Sequence, residues 1–437
     1  MPPVKGAAPQ SLDDLRLRRD LVASLVLRTL AFADQLSGAA LEARLGLPFE
    51  TMQPLIEEFQ RNQLMDTSGY SSEPGLEGRP IPVRMNYTVS SAGRQRASEL
   101  AAVGTRYLGP CPVPFEDYMA LVTSQVSDKN PVTLDALKRA LGNLELEPNV
   151  VEQIGGAMVS RASLFIFGAP GNGKSTITER MALLMGAPIE VPFAVAVGDE
   201  IIRLVDPVYH RVAEGHQPAD RRLLRVERPV VVAGGELKLP QLDLTYDATN
   251  RYYEAPLQWK ANGGVLVIDD FGRQEVAPMR LLNRFIVPME KKIDYLDLAA
   301  SGRKIELPFL CQIVFSTNLS PSELVDEAFL RRMAYKIGIG NPSPEAYGRI
   351  LRYECDRNGV PYDERAVGYL LTLYSNKPLR GSHPKQLVAR LVDLAAFRGE
   401  APRLTPSSIK EAFDACFNPA LGGLDEEDWA KPATLSG

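Results

Sequence analysis

The sequence predicts an α/β fold with a parallel sheet and helical regions before and after it, and three stretches carry that expectation. Leu164 to Leu184, LFIFGAPGNGKSTITERMALL, runs an apolar strand into G-x-x-x-x-G-K-S and then into a helical pattern. Gly263 to Gly272, GGVLVIDDFG, is an apolar run ending in two carboxylates. Pro308 to Pro321, PFLCQIVFSTNLSP, is a second apolar run, ending in Ser316-Thr317-Asn318. Continuous apolar runs of this length are strands buried on both faces, as a parallel sheet requires. Polar residues at their C-terminal ends stand where open α/β sheets bind ligands.

The order strand, loop, helix is the context in which the glycine-rich motif has a mechanism. Gly168, Gly171 and Gly173 let the backbone adopt conformations closed to other residues and approach a ligand closely. Loop N–H groups then converge on phosphate at a helix N-terminus, whose dipole favours an anion. Lys174 brings a positive charge to the terminal phosphates, and the Ser175 hydroxyl is placed for Mg²⁺. The expected phosphate-binding segment is Gly168, Ala169, Pro170, Gly171, Asn172, Gly173, Lys174, Ser175 and Thr176. Ile177, Met181 and Leu184 recur at i, i+4, i+7, so the following helix has a face to bury. Asp269 fits the acid that holds the metal together with Ser175. Asp270 stands where a base or water-orienting acid is needed, and Asn318 where a polar group holds the attacking water.

The chain has 437 residues, enough for two or three domains. Its 45% hydrophobic and 24% charged content is ordinary for a globular protein. A net charge of −5 argues against a nucleic-acid coat or a membrane-surface protein. The longest apolar run, Leu21 to Ala33, is interrupted by Arg28 and too short to span a bilayer. The opening MPPVKGAAPQ lacks an apolar signal core. Cys111, Cys311, Cys355 and Cys416 lie far apart and read as reduced, mostly buried thiols, so a cytoplasmic setting is expected. His210, His216 and His383 show no metal-ligand spacing.

In chain order, residues 1–10 are Pro/Ala/Gly-rich and expected to be loose. Helices are expected from Leu12 to Asp34, Gly38 to Leu45 and Phe49 to Gln63, then a Gly/Ser/Pro-rich stretch from Thr67 to Pro82. VRMNYTVS alternates like a strand, and a helix from Ala92 to Val103 follows. Three helices with a two-stranded wing form the pattern of a winged-helix domain, residues 1–104. The helix that would enter a major groove carries Glu50, Glu57 and Glu58 against Arg61, with only Arg79 and Arg84 near the wing. Groove reading needs Arg or Lys for phosphates and guanine edges, so docking of a protein partner is favoured over DNA binding.

Residues 105–114 are a Pro-rich linker. Helices at Phe115–Val126, Pro131–Leu141 and Val150–Arg161 open the α/β domain, 115–340, and stand to cover one side of the nucleotide. PFAVAVGDEIIRLVDP reads as a hairpin turning at Gly198–Asp199, and RPVVVAGGELKL as a strand with a Gly-Gly turn. Tyr209, Tyr252 and Tyr253 are read as packing aromatics in preference to pore or insert contacts. DEAFLRRMAYKI ends a short helix in Arg331 and Arg332. PLRGSHPKQLVARLVDL opens a helix in a helical region, 341–418, with Lys385 at its start and Arg380 just before. Residues 419–437 are an acidic tail expected to be disordered.

The ordered set GAPGNGKS, VLVIDDFG, FSTNLSP and DEAFLRRM, with helices after it, resembles the AAA+ ATPases over about residues 111–418. The resemblance implies a five-stranded parallel sheet flanked by helices, an all-α lid, and Mg²⁺-dependent ATP hydrolysis at subunit seams of a homo-oligomer, by default a hexamer. It makes Gly168–Ser175 the Walker A motif, Asp269 and Asp270 Walker B, and Asn318 sensor 1. It makes Arg332, or Arg331, the arginine finger, with Arg332 preferred because the apolar Met333 follows it. Sensor 2 is Lys385, or else Arg380. IDYLDLAASGRKIELPF, alternating on both sides of a Ser-Gly turn, is similar to the hairpin before sensor 1 in MoxR-type chaperones, magnesium chelatases and branch-migration helicases. Two departures stand out: Asp270 replaces the usual Glu, and a lysine at sensor 2 lacks the bidentate fork of arginine. The implied function is remodelling or assembly of a protein partner. The alternatives are a winged-helix DNA-binding helicase, loader or regulator, and a nucleotide-dependent assembly switch.

Overall fold

The computed structural model describes residues 7–127, 132–324, 330–374 and 377–417. Its centre is a five-stranded parallel sheet flanked by helices, as the sequence led us to expect. In chain order its strands are β1 (Leu164–Gly168), β2 (Val230–Ala233), β3 (Val265–Ile268), β4 (Gln312–Thr317) and β5 (Tyr335–Ile339), and across the sheet they run β2-β3-β4-β1-β5. β4 and β5 flank β1 in parallel, with Val314 and Tyr335 both opposite Leu164. All of β3 and β4 is buried, as apolar runs covered on two faces must be. The chain divides into two compact units, Met1–Asn130, Met185–Val267 with Gln274–Ile313, and Pro131–Leu184, Ile268–Arg273 with Val314–Gly437.

In the first unit, helices Arg19–Ala33, Gly38–Leu45, Phe49–Arg61 and Ser91–Val103 pack with an antiparallel sheet ordered 35–37, 85–89, 65–70. The first helix begins at Arg19 and not at Leu12. Only a short turn, Asp13–Leu15, forms ahead of it, because Arg16 turns left-handed at φ 51°. The first ten residues are not uniformly loose either, since Pro9 is buried and its carbonyl accepts the Thr51 hydroxyl at 2.7 Å. Thr67–Tyr70, read as part of a turn-rich stretch, belongs to a strand.

The segment between the phosphate-loop helix and β3 builds a mixed sheet, with 194–197 and 200–203 pairing as the expected hairpin around Gly198. Val113–Pro114 adds to the edge of this sheet beside Val195 and Ala196. Tyr107 and Cys111, in the Pro-rich run before it, are buried in the same core as the N-terminal helices and Ala194, Ala196 and Ile201. Ile293–Leu298 and Arg303–Pro308 pair antiparallel, the hairpin read from alternation.

The second unit holds β1, β5 and four C-terminal helices, Pro344–Arg357, Glu364–Leu373, His383–Arg398 and Pro406–Phe417. These four share one core built on Tyr347, Leu351, Leu370, Leu387 and Phe413. Residues 326–329 of the predicted arginine-bearing helix and the acidic tail lie outside the described residues. Among the described residues no helix is long and apolar enough to cross a membrane.

Candidate phosphate-binding site

β1 is apolar until Gly168, whose φ of 146° and tight approach to Ile339 leave no space for a side chain: a Cβ would lie 2.3 Å from the Ile339 carbonyl oxygen. Gly171 and Gly173 are left-handed at φ 80° and 86°, and the helix Lys174–Met181 starts at once. Ile177, Met181 and Leu184 are buried, so the apolar face read from sequence anchors the loop. Backbone N–H groups at this helix start have no intrahelical partner and favour an anion.

Five predicted residues, Lys174, Ser175, Asp269, Asp270 and Asn318, meet at the C-terminal ends of β1, β3 and β4. The Lys174 ammonium donates to Asn318 Oδ1 at 2.5 Å and to the carbonyls of Gly168 and Ala169 at 2.8 and 3.0 Å. The Ser175 hydroxyl donates to Asp269 Oδ2 at 3.1 Å. Asn318 Nδ2 donates to Asp270 Oδ1 at 3.3 Å. The Asp270 amide donates to Asp269 Oδ1 at 3.0 Å, with Asp270 held left-handed at φ 47°. Burial pulls the Lys174 pKa below the ordinary lysine value; Asp269 and Asp270 oppose that shift, and the charge of Arg380 adds to it.

These groups open into a cavity of about 1010 Å³. Pro170 to Thr176, Asp269, Asp270 and Asn318 form its floor and Asn143–Val150 one wall, while residues 338–343 and the helix starts carrying Arg349 and Lys385 close the rest. Of the three helices expected beside the nucleotide, the last two border that wall, whereas Phe115–Ser127 packs within the first unit. Lys385 is exposed on the cavity wall. Arg380 is half-buried and donates to Asn341 Oδ1 at 3.1 Å. Arg331 and Arg332 are exposed in a turn before β5 and are absent from the wall.

The structure gives Asn172, part of the expected phosphate-binding segment, side-chain bonds that the motif does not foretell, and adds Arg349 and Arg180, which no motif singled out. Asn172 is buried: its Nδ2 donates to Gly340 O (3.1 Å) and Asn341 Oδ1 (2.9 Å), and its Oδ1 accepts the Gly381 amide (3.0 Å). Arg349 donates twice to Glu145 Oε2, at 2.9 and 2.8 Å. Arg180 donates to Leu141 O and to Asn143 Oδ1. Sequence separations of up to 209 residues left no local signal for these contacts.

A family model described as a domain of unknown function, DUF8689, matches residues 343–415, the C-terminal helices. No curated protein matches the chain. Among solved structures, a RuvB Holliday junction branch migration motor from Thermotoga maritima is similar at 13% identity and TM-score 0.38. That match covers 65% of this chain and 72% of the other. NtrX from Brucella abortus in complex with ATP is similar at 13% identity and TM-score 0.40, over 63% of this chain and 59% of the other. Neither likeness bears on function.

Proposed function

We propose that this chain is an ATP hydrolase of the AAA+ type that acts as a ring-like homo-oligomer, by default a hexamer, to remodel or assemble a protein partner. The observation that carries this reading is the convergence of Lys174, Asn318 and Asp270, hydrogen-bonded in series, beside the Ser175–Asp269 pair, all at the C-terminal ends of parallel strands. Two hard oxygen ligands 3.1 Å apart, Ser175 Oγ and Asp269 Oδ2, suit Mg²⁺. When bound, the metal would neutralise charge on the phosphates.

In this reading Lys174 turns from the loop carbonyls to the terminal phosphates, and the loop N–H groups hold the others. Asn318 and Asp270 orient a water for in-line attack on the γ-phosphorus. The bond from that phosphorus to the β–γ bridging oxygen breaks, giving ADP and phosphate, and the water's proton passes to Asp270 or to solvent. Arg332 or Arg331 reaches a neighbouring subunit's phosphates, in keeping with their absence from the lining of their own cavity. Arg380 and Lys385 are both candidates for the sensor on the lid. Arg380 is favoured, because Asn341 ties it to the phosphate loop through Asn172.

Charge on the N-terminal unit favours a protein partner. Glu50 and Glu57 are exposed on Phe49–Arg61, Arg79 is paired with Glu42 at 2.7 Å, and Arg84 lies over the Tyr70 ring. The test is ATP binding and turnover by the full chain with Mg²⁺, beside Lys174→Ala. Uptake and hydrolysis lost in the variant are expected; a wild-type protein that takes up no ATP sinks the proposal.

A further inference from the structure

Asn172 occupies a position in the phosphate loop where the motif accepts any residue, yet its side chain is buried and fully bonded. Both Nδ2 hydrogens go to the segment joining β5 to the C-terminal helices, at Gly340 and Asn341. Its Oδ1 takes the amide of Gly381, two residues before the helix His383–Arg398. The same Asn341 oxygen accepts from Arg380. Gly171 adds a steric tie, since a Cβ there would stand 2.4 Å from Ser382 Oγ. One side chain thus grips both the entry to the helical region and the start of its third helix. It does so from the loop whose flanking glycines set its shape.

We infer that Asn172 is a positioning residue that couples the shape of the phosphate loop to the set of the C-terminal helices. This rests on the proposed reading of the loop as a nucleotide-phosphate site. Movement of the backbone between Gly171 and Gly173 on phosphate binding carries the amide with it, so Gly381 and Asn341 follow. Asparagine alone among residues of its size supplies two donors and an acceptor at those angles. An aspartate there would turn a carboxylate toward two acceptor oxygens.

Hydrogen–deuterium exchange on the full-length protein tests this with Asn172→Ala and the near-isosteric Asn172→Asp. Without nucleotide, exchange in the peptide spanning Gly381 rises about three- to tenfold in Asn172→Ala, the range set by loss of one hydrogen bond. Asn172→Asp keeps an acceptor for the Gly381 amide and loses only the donations to Gly340 and Asn341, so its rise is smaller. Helix Pro406–Phe417 keeps its protection. In wild type, ATP with Mg²⁺ deepens protection at residues 378–386. In the variants nucleotide still binds, but that protection no longer follows, and kcat falls by a larger factor than KM rises. Unchanged exchange at Gly381 in nucleotide-free Asn172→Ala overturns the inference, as does protection of residues 378–386 by ATP equal to wild type in that variant. A wild-type protein that binds no ATP but shows the nucleotide-free effect leaves the clasp standing and removes the phosphate-site reading alone.

Discussion

At the residue scale, Asp270 carries two constraints in one position. Its left-handed φ of 47° is tolerated by Asp and Asn but strains other side chains by about 1–2 kcal/mol. Its carboxylate accepts from Asn318. Asp270→Asn keeps the backbone preference and removes the charge. We therefore expect ATP to bind it within a few-fold of wild type, while turnover falls by about 10²-fold or more. Equal turnover in the two proteins would remove Asp270 from the chemistry. Lys174 supplies a pH dependence. Burial lowers its pKa, whereas a bound polyphosphate favours the charged form. ATP affinity then falls as pH rises through that lowered pKa, at a lower pH than an ordinary lysine would allow. Titrating Kd from pH 7 upward checks the sign; affinity that rises with pH would contradict it.

At the scale of elements, the hairpin Ile293–Leu298 with Arg303–Pro308 is held at its base by a buried charge. Asp294 accepts from Arg284 at 2.6 and 3.0 Å and from Gln258 at 2.9 Å, and is nearly inaccessible. Removing Asp294 leaves Arg284 with the Leu242 carbonyl and a longer contact to Asp243 at 3.4 Å, and takes an acceptor from Gln258. Asp294→Ala should therefore cost about 1–3 kcal/mol in a urea titration. Lys304 pairs with Asp297 at 3.5 Å on the open face of the same hairpin. Solvent screens that pair, so Lys304→Ala should stay within about 0.5 kcal/mol of wild type. Similar losses in both variants would refute this division. The alternation that revealed the hairpin in sequence places Leu296, Leu298, Ile305 and Leu307 inside. Alternation does not reveal which helix they rest on.

For the whole molecule, the proposed trans arginine makes activity a property of pairs of chains. Arg332→Ala and Lys174→Ala are each expected to be inactive alone. Mixed, they should recover part of the wild-type rate, because some seams join an intact loop to an intact finger. Absence of recovery at every ratio would argue against a shared site. The acidic exposed face of Phe49–Arg61 predicts that duplex DNA neither binds tightly at physiological salt nor stimulates ATPase. Salt-sensitive binding with stimulation would transfer the N-terminal unit to nucleic acid.

Four of the five sheet strands, the phosphate loop and the hairpins were legible in the sequence because each is written in contiguous residues. β5, Tyr335–Ile339, was not, since it is only partly buried and follows directly on the stretch read as a helix end. Apolar runs, a glycine spacing and period-two alternation act locally and survive without knowledge of the fold. Boundaries failed where one residue's backbone overrode the pattern, as Arg16 does before the first helix. Tertiary structure alone decided how Lys174, Asn318 and Asp270 connect, and that Asn172 holds Gly340, Asn341 and Gly381. A hydrogen bond is set by ångström distances between groups up to 209 residues apart, and no local period encodes such a distance.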